Sequence, residues 1–150
     1  IVPQLSVTIK PCETGTASLP GGNINRIKDF TNEQRSDHPQ LANIDHLTRM
    51  YGTRLDGVLD EAGNRPDLLN ALSDTGDIGA QILFAIREEM AQTLDDVVMR
   101  RTGLGQLGAP PTETLLRATS IMAAELGWNA ERCAHEIENV THSFATRSDR

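Results

Sequence analysis

Gly103-Leu104-Gly105-Gln106-Leu107-Gly108 spells a literal G-x-G-x-x-G. Where such a run follows a strand and opens a helix, its amides face a pyrophosphate at the helix N-terminus. Here it follows a helical pattern and runs into Pro110-Pro111. A loop between two helices is the expectation. The four histidines make no better site. His135 and His142 are seven apart on one helical face, opposite Cys133, Ile137 and Phe144, and so are expected in solvent. His38 and His46 lack a Cys or carboxylate at metal spacing. Cys133 and His135 point about 200° apart on a helix. Neither a nucleophile elbow nor a kinase motif set is present. No catalytic, cofactor-binding or metal-ligating residue is assigned.

Charges inside apolar stripes are more informative. With about 100° of helical advance per residue, Glu89 falls in the middle of the Ile78–Ile82–Ile86 stripe. Arg101 falls in the stripe of Leu94, Val97 and Val98. An unpaired buried charge costs several kcal/mol, so each is expected to be mostly buried against an opposite charge, most simply the other. Asp96 and Arg100, four apart with the acid first, make a weaker pair on the outer face. On this reading Glu89→Ala or Arg101→Ala is severe and Asp96→Ala barely matters.

The elements that position these residues are helical. Leu41, Ile44, Leu47 and Tyr51 recur at helical spacing, with Gly52 as C-cap. Thr53 and Asp56 are spaced as a capping box for Leu55, Val58, Leu59 and Ala62. Pro66 opens a short helix bearing Leu68, Leu69 and Leu72. Residues 78–101 read as two helices meeting near 91–93, the second begun by Thr93 with Asp96 three residues on. Thr112 caps a helix that Gly127 closes, and Asn129 caps the last, where Cys133, Ile137, Val140 and Phe144 share a face. The fold expected is all-α: a small bundle of about six to seven helices over 40–146 with an extended N-terminal arm or strand. Residues 1–39 hold four of the seven prolines and one alternating run, Leu5, Val7 and Ile9; they read as an extended arm and linker. Residues 147–150 read as a frayed tail.

Composition excludes several function classes. The net charge is −7 over 150 residues and aromatics are 3%, which disfavours nucleic acid as a partner. No apolar run approaches the roughly 18–20 residues of a membrane span, so no direct membrane insertion is expected. Arginine outnumbers lysine 12 to 2, which favours planar ion pairs. Cys12 and Cys133 read as a reduced, cytosolic pair. A start at Ile-Val-Pro reads as a cut from a longer chain.

The run Arg87-Glu88-Glu89-Met90-Ala91, Thr93-Leu94-Asp95-Asp96-Val97 and Arg100-Arg101-Thr102-Gly103-Leu104-Gly105 resembles the C-terminal helical domain of FAD-dependent glycerol-3-phosphate dehydrogenases. Met122-Ala123-Ala124-Glu125-Leu126-Gly127-Trp128, the Leu19-Pro20-Gly21-Gly22 loop and Tyr51-Gly52 also fit, so that the resemblance covers roughly 17–140. It implies an all-α accessory domain that follows flavin- and substrate-binding regions. The parent would oxidise glycerol 3-phosphate to dihydroxyacetone phosphate and pass electrons to a quinone. FAD would belong to the parent and no cofactor to this segment. Partners would be the upstream domains or a second copy, in the cytoplasm or peripherally at the inner face of a membrane. The strand at 4–10 would be the end of the flavin domain. The alternative is a free-standing all-α protein-interaction module.

Overall fold

The computed structural model describes residues 11–148. Helices α1 (Ile27–Asp37), α2 (Ile44–Tyr51), α3 (Leu55–Asp60), α4 (Gly79–Glu89), α5 (Leu94–Asp96), α6 (Thr112–Leu126) and α7 (Ala130–Ser148) form an all-α bundle. Tight turns of helix at Gly52–Arg54 and Pro66–Leu69 join the first elements, and α5 widens into a π-type turn over Val97–Arg101. The only β pairing among the described residues is a single antiparallel bridge, Ala71 to Ile78. The Leu5–Ile9 strand expectation lies outside the described residues.

α4 is the axis. Every residue from Gly79 to Ile86 is buried, and it packs on α3, α6 and the π-type turn. A helix apolar on all sides belongs in the middle of a core. Leu47, Leu55, Val58, Leu94, Val97, Met122 and Val140 are fully buried around it. α7 contributes Val140, with Ile137 and Phe144 at the margin.

Several expectations need correction. The extended linker over 1–39 is in part a helix: α1 occupies Ile27–Asp37. It carries little apolar periodicity because its one fully buried residue is Gln34. It packs on α2, and Arg35 pairs with Asp45 across that contact at the surface. Thr53 caps nothing; it lies within the turn Gly52–Arg54, and α3 begins at Leu55 with no side-chain cap. Thr112 is the first residue of α6, after Pro111 at the N-cap. α7 continues to Ser148, past the position where a frayed tail is expected. Asn129 does cap α7, its Oδ1 accepting from Arg132 N–H at 2.8 Å.

Two loop segments meet backbone to backbone. Thr53 N–H donates to the Gly21 carbonyl at 3.2 Å. Gly52, at φ 53°, lies so close that a Cβ there would overlap the Gly21 oxygen. Glycine is therefore required at 52, for space as well as for its left-handed backbone.

α4 closes differently. Ala91 N–H donates to the Ala85 carbonyl at 2.9 Å, reaching one residue further back than the six-to-one bond of a Schellman closure. The left-handed position is held by Met90, φ 57°, with its side chain 82% exposed. A non-glycine residue there is strained by about 1–2 kcal/mol and Met90 recovers little by burial. Met90→Gly should therefore raise stability by about 0.5–1 kcal/mol after glycine's greater unfolded-state entropy is deducted. A denaturant midpoint lower than that of the parent sequence would show that the Met90 side chain contributes more than its exposure implies.

Candidate functional site: a buried carboxylate under the glycine loop

The densest polar cluster sits at the N-terminal end of α4. Asp77 is fully buried. Its Oδ1 accepts from Gly103 N–H at 2.9 Å and Gln81 Nε2 at 3.1 Å, and lies 3.2 Å from His46 Nε2. Its Oδ2 accepts from the Thr75 hydroxyl at 2.6 Å, and its backbone carbonyl accepts from Leu72 N–H at 2.7 Å. One side chain thus ties α2, the 73–78 turn, α4 and the glycine loop together.

Gln81 extends the network. It stands three residues beyond the helix N-cap, so its Oε1 reaches back to Ile78 N–H at 2.7 Å. Its Nε2 also donates to the Tyr51 hydroxyl at 3.1 Å. Tyr51 packs edge-on against Phe84, and its hydroxyl is 3.5 Å from the Arg101 carbonyl. Burial pushes the Tyr51 phenol up to about 12, with Glu89 and Asp77 adding to the rise against the Gln81 hydrogen bond and Arg54. It is therefore neutral at any ordinary pH and serves as a hydrogen-bonding strut.

The glycine loop does not fit a dinucleotide. The Gly103 amide is spent on Asp77, and a Cβ at 103 would come within 2.8 Å of Asp77 Oδ2. A buried carboxylate stands where a pyrophosphate would need donors. Gly105 is pressed against the Val98 carbonyl and the Phe144 ring. No group of three or more His, Cys, Asp or Glu suited to a metal occurs among the described residues.

Glu89 is half-buried at the C-terminal end of α4. Its carboxylate lies 3.7 Å from Arg101 and 3.6 Å from Arg54, whose guanidinium stacks on Phe84 at 4.7 Å. The two residues marked in the stripes thus stand together, yet the Arg101 side chain is 41% exposed. The expectation of a mostly buried side chain is corrected for Arg101, whereas Glu89, 23% exposed, is largely covered. Glu89 is the last residue of α4, and Arg101 lies in the π-type turn, where the 100° phase no longer holds. Asp96 carries more than an outer ion pair. Its Oδ1 holds Arg100 at 2.7 Å. Its Oδ2 accepts from the Thr93 hydroxyl and the amides of Gln92 and Thr93, while Thr93 Oγ1 accepts from Asp96 N–H. This is a full capping box. Burial alone would raise the Asp96 carboxyl, but these hydrogen bonds and Arg100 outweigh it and hold the group below the ordinary carboxylate range.

Two more clusters fasten the helices. Arg87 on α4 reaches Glu125 on α6 through two bonds of 2.7 and 2.8 Å, and Glu61 at 2.6 Å. These bonds raise the Arg87 guanidinium further and hold the Glu125 carboxyl below its usual range. Glu136 on α7 is buried; it accepts from Leu94 N–H at 2.7 Å and pairs with Arg132. Sequence reasoning missed Asp77, His46, Gln81, Tyr51 and Glu136. Only Gln81 carries a signal: a polar residue inside an apolar run, at the third helical position.

The segments that carry the resemblance are thus the ones that fasten this domain. The family described as the C-terminal domain of alpha-glycerophosphate oxidase matches residues 12–133. The chain belongs to this family. It is 29% identical to the glycerol-3-phosphate dehydrogenase of Synechocystis sp., over 90% of this chain and 25% of that protein. It is 26% identical to the probable mitochondrial glycerol-3-phosphate dehydrogenase of Dictyostelium discoideum, over 95% of this chain and 23% of that protein. The chain therefore spans about a quarter of the length of the curated relatives it matches. No solved structure is matched.

The geometry orders three substitutions. Asp77→Ala strands buried donors on Gly103, Gln81 and Thr75 and should cost about 3–5 kcal/mol, a large share of the roughly 5–15 kcal/mol available to a domain. Asp96→Ala removes a cap and should cost about 1–2 kcal/mol. Glu89→Ala, at a half-exposed pair with long contacts, should cost about 0–1 kcal/mol. Denaturant melts check the order; Glu89→Ala falling below Asp96→Ala in stability would contradict it.

The pH dependence follows from the depressed Asp96 carboxyl. Its stabilisation is present above the unfolded carboxylate value, about 4, and is lost as pH falls through that value towards the folded one. Asp96→Asn should flatten the acid limb of stability below about pH 4. An unchanged limb in that variant would contradict the assignment.

Proposed function

We propose that the chain is a non-catalytic accessory domain of a FAD-dependent glycerol-3-phosphate dehydrogenase. In this reading the parent oxidises glycerol 3-phosphate to dihydroxyacetone phosphate with FAD held upstream. The domain packs against the flavin and substrate regions or against a second copy. The setting is the cytoplasm, with the parent peripheral at the inner face of a membrane.

The observation that carries this reading is the match over 12–133 to a C-terminal domain, in a chain that spans a quarter of its dehydrogenase relatives. The chemistry of the chain agrees. Its most reactive-looking cluster, Asp77 with His46, Gln81 and Tyr51, has its hydrogen-bonding capacity directed into the domain itself. No helix among the described residues is long and apolar enough to cross a membrane, which is compatible with a peripheral parent.

The chain incubated with FAD and desalted should be colourless, and it should not oxidise glycerol 3-phosphate in the presence of a quinone acceptor. A flavin spectrum retained at stoichiometric level would overturn the non-catalytic reading.

A further inference from the structure

α1 and α2 enclose an open cleft of about 280 Å3 lined by Ile27, Lys28, Thr31, Asn32, Arg35, Asp45 and Arg49. Its charge is unusual for a chain of net charge −7. Three cations face one carboxylate, and that carboxylate is taken by Arg35, which Asn32 also holds at 2.9 Å. Lys28 and Arg49 have no hydrogen-bond or ion-pair partner among the described residues. Every other lysine or arginine whose side chain is described has a carboxylate or a backbone carbonyl. The two uncommitted cations therefore line the same cleft.

Placing uncompensated like charges together is unfavourable unless an anion joins them. The surroundings suit an oxyanion. Asn32 turns its Oδ1 to Arg35, which leaves its side-chain N–H group as a donor on the wall. The volume admits a phosphate group with a short organic substituent.

We propose that this cleft is an oxyanion site taking a phosphate group, with Lys28 and Arg49 as its binding cations and Arg35 held in place by Asp45 and Asn32. The phosphate belongs to a free phosphate or phosphate ester, or to the phosphodiester head group of an anionic lipid. The site is separate from the Asp77 cluster and does not depend on the accessory-domain reading.

The test uses the 15N-labelled chain and sodium phosphate as probe, with sodium chloride at matched ionic strength as reference. Amides of Ile27, Lys28, Thr31 and Arg49 should shift saturably with phosphate. In Lys28→Gln/Arg49→Gln the apparent affinity should fall by about tenfold or more, since charge-assisted hydrogen bonds are lost. Both side chains are exposed and unpartnered, so the variant should keep its circular dichroism. Arg65→Gln/Arg100→Gln removes the same net charge elsewhere and should bind like the parent. A second arm measures co-sedimentation with phosphatidylcholine vesicles with and without phosphatidylglycerol. Binding only to the anionic vesicles, lost in Lys28→Gln/Arg49→Gln, would assign the same site to a lipid head group. Binding in neither arm, or binding equal in the two double variants, would overturn the proposal.

Discussion

The fold depends on one buried carboxylate. Asp77 has no contact with solvent, so it must have hydrogen-bond donors from the protein. It draws them from elements far apart in sequence: His46 on α2, Thr75 in the turn before α4, Gln81 on α4 and the amide of Gly103 beyond α5. Apolar packing brings these elements together without fixing their relative register, because it is non-directional. The carboxylate supplies the direction. It also explains why residue 103 is glycine, since a side chain there would enter the space that Asp77 occupies.

Around that point the charged residues act as fasteners between helices. Arg87 joins α3, α4 and α6; Glu136 joins α7 to the start of α5; Asp96 turns the chain into α5; Glu89 collects Arg54 and Arg101. Arginine suits such work because its planar fork engages two carboxylates at once, as Arg87 does. A family signature that looks from its residue types like chemistry is here largely the means of holding a small bundle together.

That distinction decides what the sequence reveals. The all-α class, the break between α4 and α5, the Thr93–Asp96 box and the Asn129 cap are local features, set within a few residues, and are legible from spacing alone. α1 is not, because its helix rests on Gln34, a dipole-compatible Asp29 and Arg35, and its packing on α2, with few apolar residues to mark a period. Arg101 is misjudged because the π-type turn shifts its phase. Asp77 is invisible for a different reason: in the run Ser73-Asp74-Thr75-Gly76-Asp77 it is one acidic turn residue among several. Its burial is settled by Gly103, 26 positions away.

Hydrogen exchange at the Gly103 amide tests this most directly. Loop amides ordinarily exchange through small local openings, whereas an amide locked into the core exchanges only when the whole domain unfolds. If Asp77 holds the loop, Gly103 N–H should exchange as slowly as the amides in the centre of α4, with an opening free energy near the global value. Fast exchange at Gly103 while Leu83 and Phe84 remain protected would show that the loop is not tied to the carboxylate, and the organising role given to Asp77 would be wrong.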